Sequence, residues 1–183
     1  MLDYEFAGLP LHVLIVHVMV VGVPALALLL VVLAAWPSAR RALWIPTLLA
    51  ALLMLGVTYL TIEAGKWLEA RVPSAPLIQE HTAQGEDILP WMYGLVAVAA
   101  LVAALAIVER TQHRDRTDPG VAAARGVATP ATRTSPGRMA VIVLLVIAAV
   151  GVGAGATWTI IQIGEAGSRA VWEGSFSDEP LER

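Results

Sequence analysis

The chain has 183 residues, of which 57% are hydrophobic and only 15% charged, and its formal net charge is -3. This composition, with a mean hydropathy of +0.71, argues against a soluble domain. The absence of cysteine excludes disulfides, thiolate zinc sites, iron–sulfur clusters and c-type haem attachment. The acidic balance, with arginines confined to the joining segments, argues against a nucleic-acid partner.

Four long stretches of the chain contain no Asp, Glu, Lys or Arg, namely residues 6–39, 42–62, 88–108 and 139–164. An α-helix needs about 20 largely apolar residues to cross a bilayer. We therefore predict an all-α integral membrane protein in which a four-transmembrane-helix bundle forms a single domain. The predicted helices cover about residues 10–36, 43–66, 88–108 and 139–164.

The first predicted helix begins at Pro10 and ends before Pro37. Proline suits a first helical turn, whereas Pro24 inside the helix removes a backbone hydrogen bond and predicts a kink. The residues before this helix include Asp3 and Glu5 and no basic residue, which is unlike the start of a cleaved signal peptide.

The charges of the joining segments predict the orientation of the bundle. Eight of the twelve Lys and Arg residues follow the first or the third helix: Arg40, Arg41, Arg110, Arg114, Arg116, Arg125, Arg133 and Arg138. Most acidic residues lie before the first helix, between the second and the third, or after the fourth. By the positive-inside rule, we expect a multi-pass protein of the bacterial inner membrane with both termini on the periplasmic or extracellular side.

Two longer joining segments differ in character. Residues 68–87 are amphipathic and predict a short helix on the membrane surface, whereas residues 109–138 have no apolar period and predict a flexible cytoplasmic linker. Trp44, Trp67, Trp91 and Trp172 fall near predicted helix boundaries, so we interpret them as interfacial anchors.

The fourth predicted helix carries a face of small residues, Gly151, Gly153 and Gly155. Gly151 and Gly155 match the GxxxG pattern that allows two helices to approach closely. The pattern predicts tight packing, either within the bundle or in a homo-oligomer.

Two histidines, His12 and His17, fall within the first apolar segment. Ionisable residues inside a membrane span are unfavourable and usually face a bundle interior or a cavity. Five residues correspond to about 500° of helix rotation, which leaves the two rings about 140° apart. One straight helix therefore cannot direct both at one metal atom, but His81, just before the third helix, could fold toward the first helix.

The three histidines predict a cofactor site. A pair of imidazoles from different helices commonly holds b-type haem without cysteine, so His12, His17 and His81 are candidate ligands of haem b. Copper is an alternative because imidazole suits it as well. A purely structural role is also open, in which His12 bonds to headgroups or water, His17 donates to a carbonyl of a neighbouring helix, and His81 is solvated. Hydrolase motifs are absent, so catalysis is not indicated.

Three parts of the chain resemble the bacterial membrane proteins catalogued as domain of unknown function 2231. They are Gly8-Leu9-Pro10-Leu11-His12-x-x-x-Val16-His17, His81-x-x-x-Gly85 and Ile163-Gly164-Glu165-Ala166-Gly167-Ser168-Arg169-Ala170-Val171-Trp172. The family signature is close to His-Pro-x-x-Val-His-Phe-Pro, and this chain has Val13, Val18 and Met19 at the positions of Pro, Phe and Pro. Some relatives are fused to Rieske or c-type cytochrome domains, and the resemblance therefore implies a redox neighbourhood for the histidines.

Two functions follow as expectations. The first is electron transfer in the lipid bilayer through haem b or copper held by the histidines. The second is a non-catalytic accessory or structural subunit that docks on a larger redox or respiratory membrane complex, or on a second copy, through the fourth helix.

Overall fold

A computed structural model describes residues 3–117 and 135–177. Within these residues, two short strands, β1 (Glu5–Phe6) and β2 (Leu9–Pro10), form an antiparallel hairpin before the helices. The helices are α1 (Leu11–Ala35), α2 (Pro37–Glu69), α3 (Pro76–Gln84), α4 (Leu89–Thr117) and α5 (Pro136–Trp172). The predicted all-α class is confirmed for the described part of the chain.

Four helical segments are long and apolar enough to cross a membrane: Leu11–Ala35, Pro37–Glu69, Pro76–Gln112 and Pro136–Trp172. Their most apolar windows have mean hydropathies of 2.8, 2.0, 2.4 and 2.6. The predicted number of membrane-spanning helices is therefore matched by length and composition. The third segment combines α3 with α4, and α3 is the short helix predicted between residues 68 and 87.

Prolines begin several of these helices. Pro37, Pro76 and Pro136 occupy the first turns of α2, α3 and α5. A backbone N–H in the first turn has no acceptor within the helix, so proline loses no hydrogen bond there. The hydroxyl of Ser135 also accepts a bond from the Arg138 backbone N–H at 3.4 Å. These signals explain why α2 and α5 start earlier than the apolar pattern alone predicted.

The four long helices form a ring in the order α1, α2, α4, α5. α1 packs against both α2 and α5, and α4 packs against the same two helices. The interior is filled by apolar side chains from every long helix, including Val23, Leu30, Ala51, Leu95 and Ala149, each with no solvent exposure. α3 lies mainly against α5 and also contacts α2 at one end of this ring.

The glycines predicted to allow close approach are used mostly inside the bundle. A Cβ at Gly153 would meet Cβ of Ala27 on α1 at 3.0 Å, and the indole ring of Trp91 lies directly over Gly155. Gly151 is exposed, and nothing lies within 4 Å of its Cβ position. Trp91 is therefore a partly buried packing residue, because the glycine opposite it leaves room for the ring.

The predicted linker over residues 109–138 was too long. α4 continues to Thr117 and α5 begins at Pro136, so both ends of that segment are helical. Glu109 is only 5% exposed, because ion pairs with arginines hold it in the bundle. Residues 118–134, the remainder of the predicted linker, lie outside the described residues.

Candidate metal centre

Two of the three predicted ligands meet at one end of the bundle, which we call the histidine end. His12 lies in the first turn of α1, and His81 lies in the last turn of α3. Their ring centroids are 6.0 Å apart, with an angle of 73° between the ring planes. The expectation that His81 folds toward the first helix is confirmed.

The N-terminal hairpin determines where α1 begins, and so where His12 lies. Ala7 and Gly8 form its two-residue turn with φ of 52° and 80°, a combination that matches the twist of paired strands. The Leu11 N–H then donates to the Tyr4 carbonyl at 2.8 Å. This bond fastens the start of α1 one residue before His12.

The His12 ring has a defined orientation. Its Nδ1 lies 3.0 Å from the backbone carbonyl oxygen of Thr61 on α2. A carbonyl can only accept, so Nδ1–H must donate, and in the neutral ring Nε2 then carries a free lone pair. Metal-binding histidines commonly use one ring nitrogen in this way while the other binds the metal.

His81 has a ring nitrogen without a partner. Its Nδ1 is buried and makes no hydrogen bond. Leaving a buried polar atom unsatisfied is unfavourable by about 1–3 kcal/mol. An unpartnered imidazole nitrogen beside a second imidazole is therefore a position at which a metal ion would replace a missing bond.

Glycines on two helices let the backbone reach both rings. A Cβ at Gly65 of α2 would lie 3.0 Å from Nδ1 of His12, and a Cβ at Gly167 of α5 would lie 2.9 Å from Cε1 of His81. Both distances are shorter than ordinary van der Waals contacts. The histidine pair is thus packed directly against the backbones of α2 and α5. The sequence interpretation had not singled out Gly65.

The charges near this end lie on the rim. Lys66 pairs with Glu86 at 2.7 Å and with Glu63 at 3.5 Å, and these three side chains are about half exposed. Among the described residues, no group of three or more His, Cys, Asp or Glu side chains converges on one point. The histidine pair is therefore a two-ligand set without a carboxylate.

His17 does not join the other two histidines. Its ring is exposed on the outside of the bundle, and its Nδ1 lies 2.9 Å from the Val13 carbonyl oxygen of its own helix. This agrees with the rotation expected between positions 12 and 17 of one helix. It differs from the expectation that His17 would bond to a neighbouring helix.

The geometry can be compared with the needs of each predicted cofactor. Metal–imidazole bonds are about 2 Å long, so two rings on opposite sides of one ion have centroids about 6 Å apart. The observed separation fits that arrangement. A tetrahedral zinc site needs further ligands, which the described residues do not bring together. Haem would also need a flat opening between the rings, and the α2 and α5 backbones pass close enough at Gly65 and Gly167 that a Cβ there would crowd them.

The opposite end of the bundle, which we call the arginine end, contains an ion pair that the sequence analysis missed. Arg40 is fully buried and donates from Nε and Nη2 to Glu109 at 3.2 and 2.6 Å. Its Nη1 donates to the carbonyls of Leu33 and Ala34 at 2.8 Å each, at the end of α1. A single acid placed at the end of the third apolar stretch, among arginines, was the available signal for this pair.

No protein-family model matches the chain, no curated protein matches it, and no solved structure matches it. The resemblance to domain of unknown function 2231 therefore stays a prediction. Fold and composition define the class of the protein, an all-helical bundle with four helices that could span a membrane.

Proposed function

We propose that this is a membrane electron-transfer protein that binds one copper ion between His12 and His81. The observation that supports this is the buried, unpartnered Nδ1 of His81 beside His12. The Thr61 carbonyl supports it further, because it orients the His12 ring with Nε2 free.

Copper fits this donor set better than the other ions considered. Imidazole is a good ligand for copper, and two neutral rings supply no negative charge. Burying a charge without compensation becomes more unfavourable as the charge increases, so the site favours monovalent Cu(I). A bound copper ion would supply one-electron chemistry at this position. The chain's own contribution is to orient the rings and to pack the α2 and α5 backbones against them.

Haem b is the second candidate, because the spacing of the two rings also suits axial ligands from two helices. It ranks second because a porphyrin needs a wide opening between the rings, and the α2 and α5 backbones pass close to them at Gly65 and Gly167. His17 is not among the ligands in either proposal, since its ring lies on the outer surface of α1.

We place the histidine end on the periplasmic or extracellular side of a bacterial inner membrane. Arg40, Arg41, Arg110 and Arg138 support this placement, since they all belong to the arginine end, which the positive-inside rule assigns to the cytoplasm.

Docking on a larger redox complex, or on a second copy, through α5 remains the accessory-subunit alternative. Its support from GxxxG is weakened, because Gly155 is covered by Trp91 within the chain.

Copper loading of the purified protein tests the proposal. The detergent-solubilised chain is loaded anaerobically with Cu(I) and desalted, and copper per chain is measured by mass spectrometry. We expect about one copper per chain in the wild type, and little in His12→Ala or His81→Ala. His17→Ala is the matched control, from the same helix, and should keep its copper.

An absorbance spectrum of the same samples separates the two candidates. A low-spin b-type spectrum that disappears in His12→Ala and His81→Ala would replace copper with haem. Equal copper in all four proteins, together with a featureless spectrum, would contradict both candidates. Thermal unfolding of each variant confirms that a lost metal is not a lost fold.

A further inference from the structure

Among the described side chains of the arginine end, four arginines lie near one acid. Arg40, Arg41 and Arg138 all reach the carboxylate of Glu109, at 2.6, 3.9 and 2.6 Å. Arg110 adds a fourth guanidinium, which donates to the Arg41 carbonyl at 2.6 Å. Glu109 is the single acid in this set of ion pairs among the described residues.

Arg40 and Glu109 satisfy one another, so the excess charge belongs to the remaining arginines. Arg40 is fully buried and uses Nε, Nη1 and Nη2 in hydrogen bonds. The side chains of Arg41 and Arg138 are 40% and 32% exposed, so they are partly removed from water but still accessible.

Two hydrogen-bond donors at this end have no acceptor. Nε of Arg138 and Nε1 of Trp44 are buried and unpartnered. Both atoms can only donate. Trp44 also lies under the guanidinium of Arg110, 5.9 Å from the centre of the ring, and one turn of α2 beyond Arg41. The partly exposed guanidiniums of Arg41 and Arg138, which share one carboxylate with Arg40, are the groups that an anion would complement.

The position of the cluster identifies the source of that anion. The uncharged stretches of all four long helices end or begin here, at residues 39, 42, 108 and 139. This is the depth at which a bilayer changes from acyl chains to phosphates, and tryptophan favours the same layer. Basic pockets between transmembrane helices bind the phosphates of anionic lipids.

We propose that Arg41, Arg110 and Arg138 bind the phosphate of an anionic phospholipid headgroup at the arginine end. Arg40 and Glu109 form the floor of this site and hold α1, α2 and α4 together beneath it. The site is independent of the histidine pair, which lies at the other end of the bundle.

Lipid binding to the full chain tests the inference. The protein in zwitterionic detergent is titrated with phosphatidylglycerol, with phosphatidylcholine or with inorganic phosphate, and bound lipid is counted by native mass spectrometry. We expect the wild type to retain phosphatidylglycerol over phosphatidylcholine. Arg41→Gln combined with Arg110→Gln should weaken phosphatidylglycerol binding about tenfold, while the Arg40–Glu109 pair stays intact.

Arg169→Gln is the control, because it removes an exposed arginine from the other end of the bundle and should leave lipid binding unchanged. Equal phosphatidylglycerol binding in the double variant, or no preference over phosphatidylcholine in the wild type, would overturn the proposal. Inorganic phosphate that binds as tightly as phosphatidylglycerol would overturn the assignment to a lipid. If the double variant does not fold, the two single variants are compared with the wild type instead.

Discussion

The Arg40–Glu109 pair and the His12–His81 pair, at opposite ends of the bundle, differ in how their buried polar atoms are bonded. At the arginine end, Arg40 and Glu109 lie inside the fold and satisfy each other. At the histidine end, one nitrogen of His12 is bound to a carbonyl, while Nδ1 of His81 has no partner at all. A buried polar group that is fully bonded holds helices together, whereas one that is left open points to a ligand.

The largest effect should come from breaking the buried Arg40–Glu109 pair. Replacing Glu109 with Gln leaves the guanidinium of Arg40 buried without a counter-charge, which destabilises a protein by about 3–5 kcal/mol. We expect a large fall in the thermal unfolding temperature in detergent. Glu165→Gln is the control, since Glu165 is 66% exposed and lies 3.8 Å from Arg169. Similar unfolding temperatures for Glu109→Gln and Glu165→Gln would show that the buried pair does not stabilise the fold more than the exposed pair.

An intermediate effect should come from adding a methyl group beside the rings at the histidine end. Gly65→Ala and Gly167→Ala place a Cβ about 3 Å from the histidine rings, so a ring or a helix must shift. We expect at least about a tenfold loss of copper affinity, as for other residues that orient metal ligands. Thermal stability should fall little, because alanine favours the helix over glycine by about 1 kcal/mol.

The matched control for these variants is Gly164→Ala, on the same helix as Gly167, where nothing lies within 4 Å of the Cβ position. Copper bound normally by Gly65→Ala and Gly167→Ala would mean that contact with the backbone does not position the rings.

The smallest effect concerns the rim of the histidine end. Lys66→Gln removes the pairs with Glu86 and Glu63, whose side chains are more than half exposed. Such surface pairs contribute little to stability and are screened by salt. We expect a small decrease in unfolding temperature at low salt that disappears at high salt. A decrease that persists in high salt would show that this pair is structurally important.

Much of the fold followed from the sequence, because hydropathy and length identify membrane-spanning helices without knowledge of their packing. The sequence also suggested that His12 and His81 converge, since both belong to the same end of the bundle. The sequence could not exclude His17 as a ligand. Helix rotation places His17 about 140° from His12, but it does not show which of the two faces the interior of the bundle.

The buried Arg40–Glu109 pair could not be predicted from the sequence for a similar reason. A charge at the end of an apolar segment can extend into the headgroups or turn inward, and the choice depends on neighbouring helices. Arg40 turns inward because it finds acceptors on two helices. They are the Leu33 and Ala34 carbonyls at the end of α1 and the Glu109 carboxylate of α4. Trp91 turned inward for a different reason, the room left above Gly155.

The pairing of Arg40 with Glu109 also bears on the biogenesis of the protein. These residues lie 69 positions apart, so the ribosome has to complete α2, α3 and most of α4 before the carboxylate exists. Until then, the hairpin of α1 and α2 carries a guanidinium whose counter-ion has not been synthesised. In a bilayer, such a hairpin would have to keep Arg40 near interfacial water until α4 supplies the carboxylate.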